Sequence, residues 1–272
     1  MTEHAESYEG AVARLRAEGQ QLESVLQNAT WDDWHRATPA AGWTISHQIA
    51  HLAWTDRLTL CTLRSADAFQ AYAATAADDP LAAVNEAAEV GSRRAPQELF
   101  SDWAAGRRVL ADALESADRE NRYPWFGPPM KARSLITARI METWAHGQDV
   151  AQALDRKWEP STALKDIAHL GYATRTFTYI NNGLTAPTSD VHVRLEGPAG
   201  ETWSWGDAHA ENQIAGTAWE FALLVTQRAE VEDLHLQITG EEAYRWATIA
   251  QAFAGPPKSV VRSRNGETYT ID

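Results

Sequence analysis

The run SLITARIMETWAHGQDVAQAL (residues 134–154) decides the fold, because it is a long helical segment whose apolar stripe contains two chemically demanding residues. Placed at 100° per residue, Leu135, Ala138, Glu142, His146, Val150 and Ala153 fall within one face about 120° wide. Burying a carboxylate or an imidazole without a partner costs roughly several kcal/mol. Glu142 and His146 must therefore pair with each other, accept hydrogen bonds or share a cation. The spacing alone leaves these possibilities open, and a structural ion pair, with Arg139 as a third member, is one of them.

Upstream of this run the chain reads as helices separated by breakers. Residues 5–28 carry Val12, Leu15, Leu22, Val25 and Leu26 at helical spacing. PAAGW (39–43) is a turn, after which Thr44 can cap a helix to about Ser65. Pro80 limits another element, and a third long helix is predicted from Pro96 to Ser116. YPWFGPPM (123–130), broken by prolines and a glycine, cannot be regular helix. Four long helices predict a bundle over residues 1–157, with no strand expected between 44 and 155.

Downstream the pattern changes. A connecting helix is predicted near 161–180, then a loop at NNGLTAPTSD (181–190). VHVRLEG (191–197) alternates apolar and polar, and ETWSWG (201–206) follows the turn PAG, which predicts a hairpin. A helix over about 216–228, a strand in DLHLQI (233–238) and a helix over about 241–253 complete the expectation. The fold class is thus mainly α, with residues 158–272 forming the connecting helix and a small α+β domain.

Composition narrows the partners. With 24 basic and 37 acidic residues, the formal charge of −13 argues against a broad basic surface for nucleic acid or an anionic membrane, and favours a small-molecule substrate. No apolar run approaches the roughly 18 residues of a membrane span, and the polar start MTEHAESYEG lacks a signal-peptide pattern. A single cysteine, Cys61, rules out an internal disulfide and reads as a buried thiol; a cytoplasmic location is expected. Oligomeric state is not readable.

A second histidine-bearing helix supplies what the first lacks. In HQIAHLAWTD (47–56), His47 and His51 lie four apart on one side of the helix. Facing helices in a bundle approach within about 8–10 Å. One of these histidines with Glu142 and His146 would make a His/Glu/His set with an open position, the arrangement of a catalytic rather than a structural zinc.

Taken together, GWTISHQIAHLAWTD (42–56) and METWAHGQDVAQAL (141–154) resemble the DinB-like metal-binding bundles, in particular the relatives of mycothiol-dependent maleylpyruvate isomerase. GTAWEFALLVTQR (216–228) and ITGEEAYRWATIAQAFAGPP (238–257) resemble the second domain of an actinobacterial branch of those relatives, described as metal-binding proteins. The resemblance implies His51, Glu142 and His146 as metal ligands, zinc as the metal, and a low-molecular-weight thiol such as mycothiol as cosubstrate. His47 matches no ligand position.

A divalent cation in such a site lowers the pKa of a thiol, and the resulting thiolate can add to an electrophilic carbon. Elimination after bond rotation gives isomerisation; without it the product is an S-conjugate, the outcome of a transferase. A metal-dependent hydrolase, or a metal-binding protein without catalysis, is the alternative. Arg228 is a candidate contact to an anionic substrate or thiol, and Trp125 and Phe126 are candidate pocket residues. Asp56 and Asp149 are candidate acceptors that orient the ligating histidines.

Overall fold

The computed structural model describes residues 7–257, 260–262 and 268–270. The chain divides into two compact units, Met1–Glu159 and Pro160–Asp272. No helix among the described residues is long and apolar enough to cross a membrane.

The first unit is built on four long helices: α1 (Tyr8–Leu26), α3 (Ile45–Arg64), α6 (Pro96–Glu115) and α7 (Ala132–Ala153). Shorter α2 (Trp31–Trp34), α4 (Ala66–Thr75) and α5 (Pro80–Ser92) lie between them in the chain. Their starts follow local chemistry. Ser7, Thr30, Ser65 and Asp79 each accept a backbone N–H of the following first turn through a side-chain oxygen, and Pro80 and Pro96 stand at first helical positions, where no N–H is needed. Helix α3 packs against α5, α6 and α7, and α1 packs against α6 and α7. Leu22, Ile45, Ile49, Leu52, Leu99, Trp103, Leu110, Ile136, Ile140 and Trp144 form the core, each excluded from solvent.

The structure departs from expectation at two places in this unit. Residues 44–155 contain a short antiparallel ladder, β1 (Arg122–Tyr123) against β2 (Met130–Lys131), which closes the proline-rich loop before α7. The prolines forbid helix but leave the loop ends free to pair. The stripe holding Glu142 and His146 is also not the buried face of α7. That helix is buried on nearly every side, and Ala138, Glu142, His146 and Ala153 are among its more accessible positions. A helix walled in all round has no amphipathic pattern to reveal where it opens.

The segment beyond α7 folds back and clamps the end of that helix. A Cβ at Gly147 would lie inside van der Waals contact of the buried Trp158 ring, so only glycine lets the returning chain pack there. Asp155 adopts a left-handed φ of 51° in the intervening turn.

The second unit opens with α8 (Ala163–Ala173) and α9 (Arg175–Asn181), two helices where one was expected. The break is at Thr174, whose hydroxyl lies within hydrogen-bond distance of the Leu170, Gly171 and Gln251 carbonyls. Strands β3 (Val191–Glu196), β4 (Thr202–Trp205), β5 (Asn212–Thr217) and β6 (Gln237–Thr239) form a sheet in the order β4-β3-β5-β6. The expected hairpin is β3–β4, antiparallel, and β3 buries Val191, Val193 and Leu195 on one face. Strand β5 was not anticipated and runs parallel to β3; of its residues only Ile214 is buried, so no alternation marks it.

Helix α10 (Ala218–Val225) is shorter than expected, starting at the Thr217 cap and stopping before Gln227, whose φ is 59°. A 3-10 turn (Val231–Asp233) and the three-residue β6 replace the strand expected over 233–238. The His235 N–H donates to the Glu220 carboxylate, which removes it from any strand ladder. Helix α11 (Glu241–Ile249) ends before Ala250 and buries Trp246 and Ala247. A final pair, β7 (Val260–Arg262) and β8 (Thr268–Thr270), is antiparallel.

Candidate metal centre

Helices α3 and α7 bring three ligand-type side chains to one point. Nε2 of His51 lies 3.1 Å from Glu142 Oε2, and Nε2 of His146 lies 3.2 Å from the same oxygen. The imidazole centroids are 4.5 Å apart, and one donor atom from each of the three residues falls within 4.8 Å of the others. Donors about 2.1 Å from one tetrahedral ion lie roughly 3.4 Å from each other. The separations therefore suit a single small divalent cation, and the donor set, two nitrogens and one carboxylate oxygen, suits zinc.

Electrostatics favour an ionised Glu142. Burial works to raise its carboxyl, but hydrogen bonding to His146 and His51, helped by Arg139, holds it well below the usual carboxylate range. The His51 side chain is 9% exposed, that of His146 14% and that of Glu142 22%, so the group is enclosed yet reachable.

The surroundings hold the two histidines differently. His146 Nδ1 lies 2.5 Å from Gln48 Oε1, Gln48 Nε2 donates to Thr38 Oγ1 at 2.8 Å, and Thr38 Oγ1 donates to the Trp43 carbonyl at 2.9 Å. His51 Nδ1, by contrast, is buried and makes no hydrogen bond among the described residues. The Trp43 ring covers both imidazoles, stacked on His146 at 5.9 Å and tilted against His51 at 5.4 Å. It is set there by the turn after Pro39, where the Thr38 N–H and hydroxyl both bond the Trp43 carbonyl and Gly42 takes a φ of 78°.

His47 points elsewhere. Its Nδ1 accepts the Thr44 N–H at the start of α3, and its Nε2 meets Glu89 of α5 at 2.9 Å. Asp56 does not take the expected orienting role: its carboxylate accepts from Arg139 Nε at 3.0 Å, while Arg139 Nη2 donates to Thr55 Oγ1. Asp149 is buried with Oδ2 3.9 Å from His146 Nδ1, beyond hydrogen-bond range, and the amide of Gln48 makes the contact expected of it.

Trp125 stacks on Phe69 at 5.4 Å and Phe126 lies 6.5 Å from Trp54, whose own ring is 6.0 Å from His51. They belong to an aromatic wall one residue removed from the three donors. Arg228 lies in the second unit just beyond α10, where its guanidinium donates to the Thr226 carbonyl. Cys61 is half-buried rather than enclosed. Sequence reasoning missed Gln48 and Trp43. Gln48 had a readable signal, as a neutral amide three residues before His51 on the same side of a largely apolar helix.

The chain is 46% identical over 246 residues to an uncharacterized protein of Mycobacterium tuberculosis, present in strains H37Rv and CDC 1551, spanning 90% of this chain and 96% of the relative. The crystal structure of a mycothiol-dependent maleylpyruvate isomerase superposes with a TM-score of 0.57 at 17% identity, covering 100% of this chain and 99% of that one. A histidine-to-alanine mutant of that enzyme superposes with a TM-score of 0.56 at 18% identity and the same coverage. The model of the mycothiol maleylpyruvate isomerase N-terminal domain matches residues 15–151, the stretch that carries all three donors, and the chain belongs to that family.

Proposed function

We propose that His51, Glu142 and His146 hold one divalent ion, zinc by the character of the donors, and that the protein uses a low-molecular-weight thiol of the mycothiol kind to act on an electrophilic small molecule. The outcome is isomerisation or S-transfer. The observation that carries this reading is the convergence of two Nε2 atoms and Glu142 Oε2. Family membership and the solved mycothiol-dependent isomerase support the thiol and the reaction class. When bound, zinc keeps net positive charge, retains an open position and lowers the pKa of a thiol, so that thiolate is available at neutral pH.

The chain's own residues do the rest. Glu142, held ionised, supplies the one negative charge among the donors, so the site stays electron-poor. Trp43 packs against both imidazoles and excludes water from that side. Trp125 and Phe126 are assigned to the substrate's apolar part.

Elemental analysis tests the ligand set. His51→Ala and His146→Ala should each lose most of the zinc, whereas His47→Ala should retain it; unchanged zinc in the first two variants would sink the assignment. Thiol use is tested by titrating the cobalt-substituted protein. Sulfur coordination gives an intense charge-transfer band, and its absence at saturating thiol would remove the thiol from the reading.

A further inference from the structure

The polarity of the chain running from Trp43 to His146 can be assigned link by link. A backbone carbonyl only accepts, so the Thr38 hydroxyl spends its one proton on Trp43 O. The Thr38 oxygen is then an acceptor for Gln48, which turns the Gln48 NH2 toward Thr38 and its carbonyl oxygen toward His146. A carbonyl oxygen 2.5 Å from a ring nitrogen requires a proton on that nitrogen. His146 therefore carries hydrogen on Nδ1, whether or not its Nε2, 3.2 Å from Glu142 Oε2, also donates to that carboxylate. Gln48 is fully buried, so water does not compete for these contacts.

We infer that Gln48 is a positioning residue that fixes the Nδ1–H form of His146 and so commits its Nε2 lone pair to the cation, with Thr38 fixing in turn which way the Gln48 amide faces. The inference rests on the metal reading above and extends it to two residues that touch neither the ion nor the substrate. Nothing equivalent supports His51, whose Nδ1 has no hydrogen-bond partner among the described residues. The two histidines are thus unequal: His146 is held at its Nδ1 by Gln48, whereas His51 is packed by the Trp43 and Trp54 rings and meets Glu142 through its Nε2.

Two readouts test this, one needing no metal. In the metal-free protein with 15N-labelled histidine, the His146 ring should show a proton on Nδ1. In Gln48→Leu that proton should disappear, leaving hydrogen on Nε2 alone, donated to Glu142. Zinc affinity, measured by competition with a chromogenic chelator, should fall roughly 10–100-fold in Gln48→Leu and return to within about threefold of wild type in Gln48→Glu, whose carboxylate also accepts from Nδ1–H. Thr38→Val should give a smaller loss, because the released amide can turn its NH2 toward the ring; it also serves if Gln48→Leu fails to fold. A bare Nδ1 in the wild type, or Gln48→Leu binding zinc as wild type does, overturns the inference. If the wild type binds no zinc, the metal reading fails, while the ring-proton measurement still decides the role of Gln48.

Discussion

Removing Asp56 should unbalance the bundle next to its three converging donors. The Asp56 and Arg139 side chains are 8% and 2% exposed, and their 3.0 Å contact joins α3 to α7 one turn from Glu142. At an effective dielectric of 20, opposite charges at that distance attract by about 5 kcal/mol. Desolvating each ion costs roughly several kcal/mol, so the pair as a whole comes near to breaking even. The Asp56 carboxyl shows this balance, since burial pushes it above its ordinary range despite the guanidinium beside it.

Asp56→Ala discards the attraction and leaves the Arg139 desolvation in place, an expected loss of about 3–5 kcal/mol. For a unit of this size that corresponds to roughly 6–20 °C in Tm. Calorimetry is the suitable assay, because it resolves separate transitions in a chain of two compact units. The double variant Asp56→Leu/Arg139→Met should recover most of the loss. Thr55 would not be stranded by it, since its hydroxyl lies in reach of the His51 and Leu52 carbonyls. A single-variant loss below about 1 kcal/mol, or a double variant worse than the single, would refute the reasoning.

Gly147→Ala should destabilise the first unit by roughly 1–3 kcal/mol through collision with Trp158, read as a lowered Tm, and pairing it with Trp158→Leu should restore part of it. In the second unit, burial pushes the Tyr179 hydroxyl from its ordinary 10.0 up to about 12, with the nearby Glu242 carboxylate adding to the effect. The folded state then holds this proton more tightly than the unfolded chain, so the stabilisation is full below pH 10.0 and is lost as pH rises toward about 12. Tyr179→Phe should flatten that alkaline decline in urea titrations, and an unchanged slope would show that Tyr179 does not cause it.

Long helices were legible because α1, α3, α6 and α7 run between breakers, and the β3–β4 hairpin because only one of its faces is buried. Strand β5 was hidden because Ile214 alone among its residues is enclosed and its parallel partner β3 is remote in sequence. In the site, the residue types of His51, Glu142 and His146 pointed to ligand chemistry, but which way α7 faces could not be read from a helix buried on nearly every side. The partners of Asp56 and His146 were illegible for another reason. Arg139 and Gln48 reach them across helices, 83 and 98 positions away, and helical spacing carries no information over that distance.

The three donors are not equal before the chain has folded. Glu142 and His146 are one helical turn apart and would meet in any segment that forms α7 alone, whereas His51 and Glu142 are separated by 91 positions. Closing a loop of that length in a flexible chain costs about 4 kcal/mol of entropy, apart from a constant term. A local fragment can thus offer a two-point grip at little cost, and the third point arrives only with the assembled bundle. A cation that requires all three would be indifferent to the isolated helix and selective for the finished fold, which makes His51 the donor that reports whether the chain has closed.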